Sequence, residues 1–70
     1  MKPTSYLAAL KENDRLVFLS DRGIWLPKSA FDTPGTTHRF RVFRYEESAR
    51  GVAEDWARKA GCEAHVQEVR

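Results

Sequence analysis

The sequence predicts an α+β fold, in which a small, mostly antiparallel sheet of three or four strands carries one amphipathic helix on one face. An apolar stripe with helical spacing runs through residues 48–60, and β-rich runs within residues 15–27 flank a glycine-containing turn. Alternating apolar residues precede and follow the helix, at 38–45 and 63–69. The 70 residues suffice for one domain with a modest core, so residues 1–70 are expected to fold as a single unit.

The helix is the most strongly indicated element, because its apolar residues recur on one helical face. The members of this stripe are Ala49, Val52, Ala53, Trp56, Ala57 and Ala60. Trp56 is the only large one, so we expect it to be buried against the sheet, in contact with both flanking strands. Ser48 is expected to cap the N-terminus, and Gly61 to end the helix in a left-handed conformation.

The N-terminal segment allows two interpretations. Ala8 and Ala9 favour a short helix within residues 1–13, since alanine has the highest helix propensity. The alternative is a first strand that turns at residues 11–14 into the next one. We favour the short helix.

A hairpin is predicted for residues 15–27. The runs 16–19 and 24–26 are rich in β-formers, and Gly23 suits the left-handed position of the turn between them. Both faces of the first run are apolar, which favours a central or doubly covered strand. Residues 28–37 are expected to form a loop, because 32–35 have turn chemistry, with Phe31 folded back onto the core.

The strand predicted at residues 38–45 carries the most informative side chains. Phe40 and Val42 share one face and are the expected core pair. The other face combines two arginines and two aromatic residues, as in many protein interfaces, where these types act as anchors. The same surface would also suit single-stranded nucleic acid, with bases stacked on the rings and arginines at phosphates. A third interpretation is that another element covers this face.

Six residues are therefore candidates for binding a partner. They are Arg39, Arg41, Phe43, Tyr45, Trp25 and Lys28. Trp25 belongs either beside this surface or in the core opposite Trp56.

No residue pattern predicts catalysis, a metal site or a cofactor. Cys62 and His65 are three apart on the last predicted strand and point to opposite faces, whereas a zinc site needs convergent ligands. No base is placed by the sequence to activate Cys62, and the C-terminal end of a helix disfavours its thiolate. We expect a protein that is not an enzyme.

Net charge and composition limit the kinds of partner and the cellular location that we expect. The net charge of +2 permits nucleic acid without arguing for it, and acidic residues on the outer face of the helix would repel phosphates. No apolar run has membrane-spanning length, and a single cysteine fits a reducing compartment, so a cytoplasmic location is expected. A chain this short often completes its core by dimerising, which leaves a homodimer open.

The segment Trp25-Leu26-Pro27-Lys28-Ser29 resembles a short stretch found in small proteins encoded by bacteriophages and prophages. The resemblance implies an accessory role and assigns no functional residue. Our leading hypothesis is a non-catalytic accessory factor of a phage or mobile element that binds a host protein as an inhibitor or adaptor. The alternative is a single-stranded nucleic-acid-binding module that uses residues 38–45.

Overall fold

The computed structural model describes residues 4–69 and confirms the predicted class: a curled antiparallel sheet with one long helix packed against it. In chain order the elements are β1 (Ser5–Glu12), β2 (Arg15–Leu19), β3 (Trp25–Pro27), α1 (Lys28–Asp32), β4 (Val42–Phe43), α2 (Glu46–Ala60) and β5 (Glu63–Val69). Within the described range, no helix is long and apolar enough to cross a membrane.

The sheet is built on β1. All seven residues of β5 pair with β1 along one edge. Along the other edge, β2 pairs with the C-terminal half of β1 and the short β4 with Tyr6 and Leu7. β3 adds to the outer edge of β2, which places β2 between two neighbours. Every pairing is antiparallel. β4 and β5, which are distant from β1 in the chain, both pair with it.

The short helix predicted within residues 1–13 is wrong for the described residues, because Ser5–Glu12 form β1; residues 1–3 lie outside the described range. Ala8 and Ala9 are each only 1% exposed at the centre of the sheet. Helix propensity separates alanine from other residues by less than about 1 kcal/mol, which strand pairing on both edges outweighs. The turn after β1 uses Asn13 and Asp14, both with positive φ, as a two-residue hairpin turn requires.

The predicted hairpin is confirmed, with Gly23 at φ 81° in its turn. A buried serine organises this turn, because the hydroxyl of Ser20 accepts hydrogen bonds from the N–H groups of Arg22 and Ile24 at 3.3 and 3.1 Å. The backbone N–H of Ser20 also donates to the carbonyl of Ile24 at 2.8 Å. The expected loop at residues 28–37 is wrong in its first half, where α1 forms and carries Phe31 towards the sheet.

The alanines of α2 form its contact with the sheet. Ala49 and Ala53 are 0% exposed, and they pack with Ala8, Leu19 and Phe43 in the core on this side. Ala64 and Val66 of β5 lie against the same cluster, as the alternation predicts.

The sequence predicted the C-terminal end of α2 correctly but not its N-terminal end. α2 begins at Glu46 rather than after Ser48, and no side chain caps it. Gly61 ends it as predicted, at φ 73° with its N–H donating to the carbonyl of Ala57.

The prediction that Trp56 is largely buried is wrong, because its side chain is 43% exposed. The alanine stripe brings the helix close to the sheet, and a large ring has room only at the flank of that contact. There Trp56 meets Trp25, not the expected Phe40 or Val42. Phe40 instead packs on the opposite face of the sheet, beside Phe18.

Candidate partner-binding groove

Residues 38–45 do not form the continuous strand that was predicted. Only Val42–Phe43 pairs with β1, and Phe40 makes an isolated bridge to Ser20. Two backbone hydrogen bonds hold the segment to the end of β2. The N–H of Asp21 donates to the carbonyl of Arg39 at 2.8 Å, and the N–H of Arg41 donates to that of Leu19 at 3.0 Å. The segment therefore crosses from the hairpin turn to the edge of β1.

The side chains of this segment lie on the opposite faces of the sheet from those predicted. Phe43 is 9% exposed and belongs to the core under α2. Phe40 lies on the other side of the sheet, stacked on Phe31 with ring centroids 4.0 Å apart. Val42, the other half of the expected core pair, is 60% exposed. An aromatic residue thus enters the core on each face, and Phe43 is not available to a partner.

The arginines of the segment remain at the surface. Arg39, Arg41 and Arg44 are exposed, and none forms a salt bridge with another residue of the described range. The guanidinium carbon of Arg41 lies 5.3 Å from the ring centroid of Phe43 and covers that part of the core. Tyr45 is 64% exposed at the start of α2. The predicted surface therefore offers one open ring rather than two.

Trp25 and Lys28 lie in different surroundings. Trp25 is half-buried on the α2 side, against Trp56, which matches the second of its two predicted places. Its indole N–H is buried without a hydrogen-bond partner within residues 4–69. Lys28 begins α1 and lines a hollow on the opposite face of the sheet.

That hollow belongs to an apolar groove on the face of the sheet that α2 leaves open. Its first part, of about 280 Å³, is lined by Ser5, Leu7, Phe18, Lys28, Phe40, Val42, Gln67 and Val69. A second part, of about 420 Å³, is lined by Phe31, His38, Arg39, Phe40 and Val42. The two parts share Phe40 and Val42 and therefore lie side by side. We call them together the Phe40 groove.

The charge around the Phe40 groove has one sign. None of the described residues that line it is acidic. Lys28 lines the first part and Arg39 lines the second. Its floor is hydrocarbon and aromatic. An apolar floor with a few convergent polar groups is the usual composition of a binding site. The groove therefore suits a ligand that combines apolar groups with negative charge.

Sequence reasoning found only part of this site. Lys28, Arg39 and the alternation of Phe40 with Val42 were identified, but Leu7, Phe18 and Val69 were not assigned to a site. Val69 reaches the groove because it pairs with Ser5, at the far end of the chain from β5. Local residue patterns hold no signal for that pairing.

Within residues 4–69, no three His, Cys, Asp or Glu side chains are placed to hold a metal ion. Cys62 is partly buried just after α2, and its N–H donates to the carbonyl of Ala57 at 3.1 Å. Comparison of the chain with protein-family models, with curated proteins and with solved structures found no match, so the geometry of the Phe40 groove carries the functional interpretation.

Proposed function

We propose that this chain is a small, non-catalytic protein-binding module, which receives an apolar segment of a partner protein in the Phe40 groove. The observation that carries the proposal is the pair of adjoining hollows on the helix-free face, which share Phe40 and Val42, with Val42 60% exposed at their edge. Isolated apolar side chains are common on protein surfaces, but groups of neighbouring apolar side chains that line a concave surface mark interaction sites.

The partner is expected to carry acidic residues beside its apolar anchor. Lys28 and Arg39 flank the floor, and no acidic side chain among the described lining residues balances them. Arg41 and Arg44 add positive charge to the same segment without lining the groove, since Arg41 lies over Phe43, and neither forms a salt bridge in the described range. Arginine is enriched among the residues that dominate interface energies. Binding of such a segment would make the module an inhibitor or an adaptor.

A phage or mobile-element accessory factor of the cytoplasm is the setting we propose for this activity. The segment that resembles phage and prophage proteins includes β3 and the first residues of α1. It therefore carries Lys28, which lines the groove. A short accessory protein that acts by occupying a surface of a host protein needs no catalytic group.

Single-stranded nucleic acid is the second candidate, favoured by three exposed arginines, Arg39, Arg41 and Arg44, which form no salt bridge within residues 4–69. Its weakness lies in the aromatic residues, because base stacking needs open rings and Phe43 is in the core. Of the two rings predicted for this surface, only that of Tyr45, next to Arg44 in the sequence, is open. The net charge of +2 also gives little general attraction to a phosphate backbone.

Site-specific photo-crosslinking tests the proposal. A photoreactive amino acid at Val42, in the groove, is compared with the same amino acid at Ile24, which is 48% exposed in the hairpin turn and does not line the groove. In a lysate of the source cells, we expect one protein to be crosslinked from position 42 and not from position 24. Its crosslinked peptide should contain apolar and acidic residues.

Charge variants supply the matched control. Val42→Asp should abolish the interaction with that protein, because it places a carboxylate at the edge of the apolar groove, while Ile24→Asp should leave the interaction intact. Equal crosslinking from both positions, or equal loss in both variants, would contradict the assignment of the groove. Tight oligonucleotide binding that depends on Arg39 and Arg41 would favour the second candidate.

A further inference from the structure

The two outer edges of the sheet differ in their protection. β3 has three residues and ends in Pro27, and short, proline-containing edge strands resist pairing with other chains. β5 has seven residues and contains neither proline nor lysine. All seven pair with β1 along its inner edge, and no described strand pairs with its outer edge. β5 is therefore a regular strand with an open edge.

The hairpin turn determines which β5 groups face outward. A two-residue turn makes its closing pair, Glu12 with Arg15, a hydrogen-bonded pair, so the backbone groups of Glu12 point towards β2. Backbone groups alternate along a strand, so those of Lys11 point towards β5, where Lys11 pairs with Glu63. The N–H and C=O of Ala64 and Val66 then point away from β1, towards the open edge.

We propose that β5 pairs with β5 of a second copy of this chain, antiparallel about a two-fold axis at Val66. Outward-facing groups must meet outward-facing groups, which restricts the register to steps of two residues. Only the register centred on Val66 lets all seven residues of each β5 overlap. A centre at His65 or Gln67 would also match outward-facing groups, but only five residues of each β5 would then overlap.

The side chains fit this register. With Val66 opposite itself, Glu63 lies opposite Val69 of the second copy, and Ala64 lies opposite Glu68. His65 lies opposite Gln67. No acidic residue faces another acidic residue, although β5 contains two. Like charges directly opposite each other destabilise strand pairs, so the self-paired strand avoids a penalty that an arbitrary acidic strand would meet.

The dimer has a defined geometry. A two-fold axis perpendicular to the sheet joins the two sheets into one and keeps both Phe40 grooves on the same face. Val69 lines the groove and lies at one end of β5, so each groove adjoins the joint between the copies. A ligand with two apolar segments would then gain avidity from the paired sites. The dimer itself does not depend on the function proposed for the groove.

Sedimentation equilibrium on two double variants tests the register. His65→Glu with Gln67→Glu places carboxylates opposite each other on both sides of the axis, whereas His65→Glu with Gln67→Lys places opposite charges there. Both positions are exposed, so each variant should keep its fold, as circular dichroism can verify. We expect the wild-type chain to dimerise, the first variant to dimerise about tenfold more weakly, and the second to match or exceed the wild type.

Hydrogen exchange on the wild-type chain gives a readout without substitutions. Raising the protein concentration should slow exchange at the amides of Ala64 and Val66, while amides of α2 change little. A chain that stays monomeric at all concentrations would overturn the proposal. So would a dimer that both variants weaken equally, or one in which the β5 amides are no better protected than in the monomer.

Discussion

The rings of Trp25 and Trp56 meet edge to face, with centroids 6.1 Å apart and planes inclined by 66°. This contact joins β3, the outermost strand on its side of the sheet, to the flank of α2. The ammonium group of Lys59 lies 5.6 Å from the Trp56 ring centroid and adds a cation–π contact on that flank. The pair therefore stabilises the edge of the sheet rather than its centre.

Replacing Trp56 with alanine should lower the free energy of unfolding by about 2 kcal/mol, because the ring is only half-buried but loses an aromatic pair. Urea denaturation followed by circular dichroism would measure the change. Trp56→Phe should recover part of the loss, since an edge-to-face contact with Trp25 remains available. A loss as large as that of Phe18→Ala, at a site 4% exposed, would show that Trp56 is a core residue after all.

Ala53→Leu should destabilise the fold by about 1–3 kcal/mol or more, because Ala53 is 0% exposed between α2 and the sheet and a larger side chain would force them apart. Ala60→Leu is the matched control, since Ala60 is an exposed residue of the same helix. Chemical denaturation of both variants makes the comparison. Similar stabilities would mean that the helix sits farther from the sheet than described.

Gly51→Ala should raise the free energy of unfolding by about 0.5–1 kcal/mol, because glycine weakens a helix interior and an added Cβ would meet no atom within 4 Å. Gly61→Ala should have the opposite effect, since Gly61 ends the helix at φ 73°. Thermal unfolding of the two variants gives opposite shifts in the midpoint. Equal shifts would contradict the assigned end of α2.

Ser20→Ala should cost about 1–2 kcal/mol, because the buried hydroxyl accepts from two backbone N–H groups of the turn. The same change should speed hydrogen exchange at the amides of Asp21 and Arg41, which tie the turn to the groove segment. Ser29→Ala, at an exposed position, is the control. Unchanged exchange at Arg41 would mean that the groove segment is held independently of the turn.

Oligonucleotide binding should be weak, and its dependence on salt shallow, because the net charge is only +2 and the segment 38–45 offers one open ring, that of Tyr45. Fluorescence anisotropy with a short single-stranded oligonucleotide at several salt concentrations measures both. Tyr45→Ala should then change little. A steep salt dependence, with a loss of about 1–3 kcal/mol on Tyr45→Ala, would instead indicate a stacked nucleic-acid complex.

Residue patterns over a few positions predicted the elements whose conformation depends on near neighbours in the chain. The turn glycine Gly23 and the left-handed cap Gly61 were assigned correctly, because a positive φ restricts residue type within a few positions. The helical stripe of α2 was also found. Its orientation was misjudged by assigning the largest residue, Trp56, to the centre, although a close helix–sheet contact favours alanine there.

Tertiary pairing explains the two main errors. Ala8 and Ala9 favour a helix alone, but β1 has partners along both edges. At residues 38–45 the alternation was correct, yet it does not say which face meets the helix, and the segment bends because it is held to the end of β2 as well as to β1. Four of the eight residues that line the first part of the Phe40 groove come from β1 and β5, two strands that are far apart in the chain.

The pairing of β5 with β1 also bears on how the chain folds during synthesis. β1 leaves the ribosome before β5, its partner along one edge, which is made only after α2. Until then, β1 is a strand with one open edge, and a sheet closed by such distant segments forms more slowly than a helical bundle of similar size. The nascent chain thus exposes an aggregation-prone edge until β5 has emerged, and a slow-translating stretch before β5 would lengthen that exposure.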